Sequence, residues 1–236
     1  MKDKTEIVLR GVGMRFGAAE VLKDINLDLE QGRIYGLVGR NGSGKTVLLK
    51  IICGLLEATS GTVAFRGIPK ETEKFPADNC GVLIENPGFL PDYDAYRNLK
   101  FLADIRHKIG KKEIREAIRT VGLDPDSRKH VGKYSLGMRE RLGIAQAIME
   151  NPSILLLDEP TNGLDNEGVE EMRAVYQKLR AEGKLIVLAS HSKEDIALLC
   201  DEVYYMDHGR IIDRQVQETE QEKMTMEKSR NGKAGG

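Results

Sequence analysis

The sequence predicts an α/β fold, in which a mostly parallel β-sheet carries an antiparallel β subdomain and an inserted α-helical subdomain. Three observations predict it. The runs at 34–38, 154–157 and 184–189 are short and largely apolar, as buried parallel strands are. Residues 21–29 alternate between apolar and polar, which indicates an antiparallel strand with one solvent-facing side. Between about 91 and 150 the apolar residues instead recur at helical spacing.

Length and composition agree with this fold and exclude several classes of protein. The 236 residues are enough for one sizeable core, and a net charge of −1 gives no basic field for nucleic acid. No stretch approaches the roughly 20 apolar residues of a membrane span. The charged N-terminus leads into no apolar run, so we expect no signal peptide. Cys53, Cys80 and Cys200 share no metal-ligand spacing, and we expect three reduced, buried thiols.

The first 86 residues are predicted to form strands around a single helix. Turn residues separate the strands, with glycines at 17, 32 and 61, and the helix follows the third strand. The strands are expected at 7–16, 21–29, 34–38, 62–65 and 80–84, and the helix at 47–52.

The middle of the chain is predicted to be the inserted helical subdomain. Two groups of apolar residues have the i, i+3, i+4 spacing of an amphipathic helix. Asp124-Pro125 follows the second group and ends that helix. The first group is Leu99, Leu102, Ile105 and Ile109, and the second is Ile114, Ile118 and Val121.

After residue 150 the pattern returns to alternating strands and helices. A helix with Val169, Met172, Tyr176 and Leu179 on one face separates the last two apolar strands. A capping box of Ser192 and Asp195 predicts the next helix, through Ile196 and Leu199. A hairpin with strands at 203–206 and 210–212 closes the core, and the polar residues after Asp213 are expected to be disordered or a frayed helix.

The segment Gly39–Thr46 matches the phosphate-loop pattern G-x-x-x-x-G-K-[ST]. Its glycines allow successive backbone N–H groups to form an anion nest, and Lys45 can reach the β and γ phosphates. The Thr46 hydroxyl can ligate magnesium. A dinucleotide-binding loop is the weaker interpretation, because the G-x-G-x-x-G spacing is missing. The predicted nucleotide contacts are Gly39, Arg40, Asn41, Gly42, Ser43, Gly44, Lys45 and Thr46.

Polar side chains follow two of the apolar strands. Asp158 and Glu159 end the strand at 154–157, where carboxylates of an α/β sheet face the ligand crevice. Asp158 is suited to hold magnesium, and Glu159 is suited to polarise a water aimed at the γ phosphate. His191 ends the next strand, where it can bond the γ phosphate and orient that water. The alternatives are two solvated turn acids and a structural histidine.

These residues, in this order, resemble the nucleotide-binding subunits of ABC transporters over nearly the whole chain up to about Asp213. Tyr134-Ser135-Leu136-Gly137-Met138 occupies the place of the family's signature peptide, and Gly163-Leu164-Asp165 resembles its D-loop. His191 resembles the switch histidine. The resemblance implies a P-loop NTPase core of the ABC ATPase type, with Asp165 at the nucleotide site. It also implies that Phe16 stacks on adenine, although a core phenylalanine is the alternative.

The signature peptide has its own physical logic. Ser135 is a good N-cap for the helix that follows, and its hydroxyl, the Gly137 N–H and the helix dipole form a second anion site. One subunit cannot bring this site to its own phosphate loop. The resemblance therefore implies a head-to-tail dimer, expected to be a homodimer, with two ATP molecules and Mg²⁺ at the interface. It also implies a separate transmembrane permease, and no nucleic-acid partner.

Two departures from the family pattern narrow the resemblance. Only Ser135 and Gly137 of the usual Leu-Ser-Gly-Gly-Gln signature remain, and these are its phosphate-contacting members. Glu85 replaces the glutamine of the glutamine loop; a carboxylate can still ligate magnesium, but its extra charge can slow hydrolysis. Both features look like the bacitracin-resistance and lantibiotic-immunity branch, which implies an exporter of antimicrobial peptides or similar compounds.

The sequence thus predicts an ATPase subunit in which Glu159, His191 and Lys45 are catalytic and Thr46, Glu85 and Asp158 hold the metal. We expect one ABC ATPase domain over 1–213, with its core at about 1–86 and 151–213, its helical subdomain at about 87–150 and a tail at 214–236. The subunit is expected in the cytoplasm, on the inner face of the membrane through the permease. Two alternatives stay open: a soluble ABC-type ATPase acting on nucleic acid or ribosomes, and a low-turnover regulatory module.

Overall fold

The computed structural model describes residues 6–66, 79–85, 87–191, 196 and 198–216. Within these residues it contains nine β-strands and five bounded α-helices. The strands are β1 (Glu6–Phe16), β2 (Ala19–Glu30), β3 (Ile34–Val38), β4 (Ser60–Arg66), β5 (Cys80–Leu83), β6 (Ile154–Asp158), β7 (Leu185–Ser190), β8 (Glu202–Asp207) and β9 (Arg210–Val216). The helices are α1 (Lys45–Ile52), α2 (Ala95–Arg106), α3 (Lys111–Thr120), α4 (Leu136–Ile148) and α5 (Asn166–Ala181).

A six-stranded sheet in the order β5-β6-β7-β3-β8-β9 forms the centre of the molecule. Five neighbouring strands run parallel, and β9 pairs antiparallel with β8. The runs that form β3, β6 and β7 are buried on both faces. Along β6, Ile154 and Leu156 face one core cluster while Leu155 and Leu157 face the other. The predicted parallel sheet is confirmed, because strands covered on both sides carry uninterrupted apolar residues.

A second, three-stranded sheet is antiparallel, with the order β2-β1-β4. In β2 the buried side chains are Leu22, Ile25, Leu27 and Leu29, and the residues between the last three of these are exposed. The buried side chains pack with β1 and α1 in one hydrophobic cluster. The predicted one-sided strand is therefore confirmed, since only one face of this sheet is covered.

Helices α2, α3 and α4 form the predicted helical region and share one hydrophobic cluster with the central sheet. The prediction that Ile109 continues the first helix is wrong. His107 adopts a left-handed conformation, with φ of 53°, and ends α2 at Arg106. Ile105, expected on the buried face, is one of the exposed apolar side chains.

The C-terminal part of the chain differs from the sequence predictions in detail. The hairpin forms as predicted, but β9 continues to Val216, so the first three residues of the expected tail belong to the sheet. The capping box of Ser192 and Asp195 and the chain from 217 onward lie outside the described residues. Cys53 and Cys200 are buried free thiols as predicted, whereas Cys80 on the edge strand is only partly buried.

The described part of the chain has no helix that is both long and apolar enough to cross a membrane.

Candidate functional site

Four strands of the central sheet end at one edge, and each is followed by residues that the sequence singled out. β3 leads into the phosphate loop, β5 into Glu85, β6 ends at Asp158 before Glu159, and β7 is followed by His191. Because these strands are parallel, their carboxyl ends meet at the same edge. Strand order therefore brings together polar residues that are more than 100 positions apart in the sequence.

The phosphate loop connects β3 directly to the N-terminus of α1. Gly44 precedes the helix with φ of 105°, in a region that disfavours other residues, and a Cβ there would lie 2.6 Å from Leu22 Cδ2. No side chain caps α1, so its first N–H groups keep their hydrogen-bonding capacity for a ligand. The Lys45 ammonium donates to the Gly39 carbonyl at 2.6 Å, and the Lys45 side chain is only 6% exposed.

Asp158 lies beside the first residues of α1. Its Oδ2 atom accepts a hydrogen bond from the Thr46 hydroxyl at 2.5 Å. Burial raises the pKa of Asp158 above its ordinary value, and the hydrogen bond from Thr46 opposes the rise. The two side chains offer oxygen atoms close together, in a setting that favours a compensating positive charge.

Glu159 links the phosphate loop to the end of β7. Its backbone has a φ of 51°, which costs a non-glycine residue about 1 kcal/mol and is typical of functional turns. The Glu159 carboxylate lies 3.8 Å from the Lys45 ammonium through Oε1. Its other oxygen lies 2.8 Å from His191 Nδ1. The structure thus joins Lys45, Glu159 and His191 in one chain of contacts.

Lys45, Asp158 and Glu159 line an open cleft with a volume of about 310 Å³, whereas Glu85 and His191 lie outside its described lining. Phe16, which the resemblance places against adenine, is 49% exposed, so the alternative of a core phenylalanine is wrong. The signature segment contributes no residue to the described lining of the cleft. The lining consists of Val21, Asn41, Gly42, Ser43, Gly44, Lys45, Thr46, Val47, Asp158 and Glu159.

The signature segment begins α4 on the surface. Ser135 caps that helix as predicted, accepting from the Met138 N–H at 3.2 Å. Leu136 is 54% exposed, and its side chain covers Gly163, where a Cβ would lie 2.5 Å from Leu136 Cγ. Gly137 is equally close to the same loop, since its own Cβ would lie 2.8 Å from the Gly163 carbonyl oxygen.

The segment that resembles the D-loop ends in a helix cap. Asp165, a predicted nucleotide contact, is the N-cap of α5 and accepts from the Gly168 N–H at 2.9 Å. It is exposed and lies outside the lining of the cleft. Any contact between Asp165 and a nucleotide therefore stays a prediction.

Three contacts at the site were missed by the sequence analysis. Lys50, in the last turn of α1, forms an ion pair with Glu85, with Nζ and Oε1 2.5 Å apart. The turn of the β8–β9 hairpin supports the phosphate loop, because the Gly209 N–H donates to the Ser43 carbonyl at 3.1 Å. Arg40 extends this support through its guanidinium, which lies 2.9 Å from Asp207. Nothing in the local sequence signals these contacts, since each joins distant segments.

The residues present fit a magnesium ion that is held partly by the nucleotide. Among the described residues, no group of three or more His, Cys, Asp and Glu side chains is arranged to hold a metal. Magnesium commonly takes one or two protein oxygens and completes its shell with water and phosphate. Thr46 and Asp158 provide such a pair, whereas the Glu85 carboxylate is engaged by Lys50 through one of its oxygens.

Comparison with known proteins gives consistent results. A family model described as ABC transporter matches residues 22–162. An uncharacterized ABC transporter ATP-binding protein, YybJ of Bacillus subtilis, is 44% identical over 81% of this chain and 88% of that protein. The bacitracin transport ATP-binding protein BcrA of Enterococcus faecalis is 41% identical over 84% of this chain and 65% of that protein.

One more relative and a solved structure agree with these matches. The lantibiotic transport ATP-binding protein SrtF of Streptococcus pyogenes is 34% identical over 84% of this chain and 85% of that protein. The dimeric structure of a bacterial ABC transporter cassette superposes with a TM-score of 0.79 at 24% identity, over 90% of this chain and 99% of that one. At that identity the structural match shows the fold alone.

Proposed function

Because this chain belongs to the ABC transporter family of ATP-binding proteins, we propose that it hydrolyses ATP to power a separate membrane subunit that exports antimicrobial peptides or similar compounds. The family identifies the chain as an ATP-binding ATPase. One observation carries the assignment of the catalytic site: the contacts that join Lys45, Glu159 and His191 beside the uncapped N-terminus of α1. We take the chain up to Val216, where β9 ends, as a single ATPase domain.

The phosphate end of the cleft is suited to bind and orient a nucleotide. Lys45 and the open N–H groups of α1 place positive charge where the β and γ phosphates of ATP would lie. Thr46 and Asp158 would hold Mg²⁺, and Glu85 would approach it from the end of β5. When bound, Mg²⁺ neutralises charge on the phosphates. The exposed ring of Phe16 is available to stack on adenine.

Glu159 and His191 are suited to prepare the attacking water. Glu159 accepts the proton of a water directed at the γ phosphate, and its left-handed backbone points the residue out of the strand direction. The contact between Glu159 and His191 Nδ1 fixes the imidazole ring, so that Nε2 is the nitrogen left to orient the γ phosphate. Lys45 opposes the charge that develops during transfer.

We propose that Ser135 and Gly137 complete the cleft of a second copy of this chain. The exposure of Ser135 and Leu136 at the start of α4, away from the cleft of their own chain, supports this arrangement. Mixing two inactive variants tests it. In a head-to-tail dimer, a Lys45→Ala chain and a Ser135→Arg chain form one intact site between them, and equal mixing restores about a quarter of the native rate. No recovery in verified mixed dimers would exclude the shared site.

The permease is proposed to dock on the surface around residues 85–96. Leu90, Tyr93 and Phe101 are large apolar side chains exposed together there, and the Tyr93 and Phe101 rings pack edge to face with centroids 5.1 Å apart. Phe101→Glu is expected to remove the membrane subunit from the purified complex while nucleotide binding is unchanged. Ile212→Glu is the matched control, because Ile212 is also exposed but lies on β9, at the opposite edge of the sheet.

The proposed export of antimicrobial peptides draws support from the relatives named for bacitracin and lantibiotic transport. The test is to purify the tagged chain from its own membranes, identify the co-purifying subunit and measure phosphate release by that complex. Cells lacking the chain should become sensitive to bacitracin or a lantibiotic. Co-purification with ribosomes or nucleic acid would favour the soluble ATPase. A membrane complex with negligible phosphate release would favour the regulatory module.

A further inference from the structure

Glu85 is held in an unusual way at the edge of the central sheet where the parallel strands end. It follows β5 and adopts a φ of 62°, a left-handed conformation that is uncommon for a residue with a side chain. Glu159, at the end of the neighbouring strand β6, has the same kind of backbone. Two carboxylates on adjacent strand ends are therefore both presented by strained turns, a feature that concentrates at functional sites.

The Glu85 carboxylate is tied directly to the helix that follows the phosphate loop. Lys50 lies in the last turn of α1, and its ammonium is 2.5 Å from Glu85 Oε1. The Lys50 side chain is 25% exposed, against 65% for Glu85, so the lysine is the better fixed partner. Lys45 begins α1 and Lys50 lies five residues later, so the two residues are about 7.5 Å apart along the helix axis. One short helix therefore carries both the phosphate-binding lysine and the lysine that pairs with Glu85.

Glu85 and Asp158 lie at the ends of neighbouring strands, because β5 pairs in parallel with β6 and Leu83 lies opposite Leu157, the residue before Asp158. Burial is the largest cause of the raised pKa of Asp158, and the negative charges of Glu159 and Glu85 add to the rise. Three carboxylates thus share this edge with two ammonium groups, Lys45 and Lys50. The contact with Lys50 uses Oε1 of Glu85, so Oε2 is the oxygen that can turn toward a cation.

We propose that Lys50 is a positioning residue, which holds the Glu85 carboxylate at the metal-binding end of the cleft and balances its charge. This inference rests on the proposed role of the cleft in binding Mg²⁺ and ATP. Lys50 acts through Glu85 and needs no contact with nucleotide. Without Lys50, the exposed Glu85 side chain could rotate freely and point into solvent. With Lys50, its carboxylate stays at the end of β5, where it can contact a cation.

Stability is not a useful measurement for this pair, because exposed ion pairs contribute little to folding. Lys50 could act on a bound metal only through its charge or by positioning Glu85. Its removal changes metal affinity in opposite directions in these two cases. Removing a positive charge near a cation site strengthens cation binding by simple electrostatics. Losing a positioning contact instead weakens cation binding, because the ligand is no longer held in place.

The test measures Mn²⁺ binding to the full chain by electron paramagnetic resonance, in the presence of a non-hydrolysable ATP analogue. Lys50→Met is expected to weaken Mn²⁺ binding on the order of tenfold, and Lys50→Arg to restore it. In a Glu85→Ala background, which has no metal-ligating side chain at this position, Lys50→Met should no longer weaken binding. Lys100→Met is the control, because Lys100 forms an equally short ion pair with Asp104 on α2.

Each outcome has a distinct meaning. Equal or tighter Mn²⁺ binding by Lys50→Met, or the same weakening in both backgrounds, would overturn the positioning role. If Glu85→Ala alone leaves Mn²⁺ binding unchanged, Glu85 is not a metal ligand and the inference about Lys50 is also overturned. The nucleotide-binding role of the cleft would survive both results, because it fails only if the chain does not bind the ATP analogue.

Discussion

The N-termini of α1 and α4 are two potential anion sites that the same chain builds in different ways. At α1, Gly44 provides no side-chain cap, and Lys45, Thr46, Asp158 and Glu159 surround the open N–H groups. At α4, the Ser135 hydroxyl caps the helix through the Met138 N–H, and the segment lies at the surface. The α1 site has both its open N–H groups and the charged side chains around them. At α4, one of the N–H groups that could bind an anion is already bonded to Ser135.

This difference shows why a phosphate-loop motif alone does not describe the function. Both helices present the positive end of their dipole at the N-terminus. Of the two, α1 alone combines it with a buried ammonium and neighbouring carboxylates. We infer that α1 carries the chemistry and that α4 supplies a contact to a nucleotide held mainly by another chain. Four predictions test this division, in order of decreasing effect.

The largest effect is expected for Glu159→Gln. The amide keeps the size of the side chain but cannot accept a proton from water, so turnover should fall by about 3 kcal/mol or more in activation free energy. Phosphate release measures turnover, and calorimetry should still detect ATP binding. Glu170→Gln removes an exposed carboxylate from α5 and serves as the control. Near-normal turnover would remove Glu159 from the role of base.

Lys45→Ala should weaken ATP binding itself, on the order of a hundredfold, because the principal buried cation of the α1 site is lost. Isothermal titration calorimetry measures the affinity. Lys100→Ala, at an exposed lysine on α2, should leave it unchanged. An unaltered affinity in Lys45→Ala would contradict the assignment of α1 as the main anion site.

Behind the signature segment, Glu140 on α4 should make stability depend on pH. Burial raises its pKa to about 7, so the folded state holds a proton that the unfolded state releases near 4.5. The stability that the folded chain gains by keeping Glu140 protonated is therefore complete below pH 4.5 and is lost as the pH rises through about 7. Glu140→Gln, which stays neutral, should be more stable than the native chain by about 2 kcal/mol at pH 8.

The two proteins should be close in stability at pH 5. Urea unfolding at both pH values measures the difference, and Glu116→Gln on the exposed face of α3 is the control. Tyr176 reports the same buried surroundings. Its hydroxyl has no hydrogen-bond partner among the described residues, and its pKa is raised by burial and by the negative charge of Glu140. A pH-independent difference between native chain and variant would show that folding does not raise the pKa of Glu140.

The smallest effect is expected for Ser135→Ala, which removes the cap of α4 and should cost about 1 kcal/mol of stability. Asp94→Ala is the matched control, because Asp94 caps α2 in the same way, accepting from the Arg97 N–H at 2.8 Å. Both variants should lose similar stability in thermal unfolding. Only Ser135→Ala should also slow ATP hydrolysis by the isolated chain. Equal activities would mean that Ser135 is a cap and nothing more.

Much of the fold could be predicted because its signals are local. The double-faced apolar runs of β6 and β7 and the alternation of β2 were predicted at nearly their observed bounds, and the hairpin turn at His208-Gly209 was placed correctly. The errors concern where two elements end. In one case a single residue's backbone ends the element early, and in the other pairing with a neighbouring strand extends it. His107 stops α2 before Ile109, and the pairing with β8 carries β9 to Val216 although its sequence has become polar.

The candidate site was predictable as a set of residues but not as a set of contacts. Asp158 and His191 were identified because each follows an apolar strand, and parallel strand ends meet. The sequence also raised the question of Glu85, but the ion pair that Lys50 makes with it could not be foreseen. A lysine in the last turn of a helix is common, and only the position of β5 gives it this partner.

The sequence by itself determined the phosphate loop, since Gly39–Thr46 is one continuous segment whose glycines, lysine and threonine carry their own geometry. Tertiary structure decided what acts on that loop. The strand order β6-β7-β3 brings Glu159 to both Lys45 and His191, and the β8–β9 turn is placed under Ser43. Backbone preference operates over a few residues, whereas these contacts depend on how distant strands pair, which no single segment encodes.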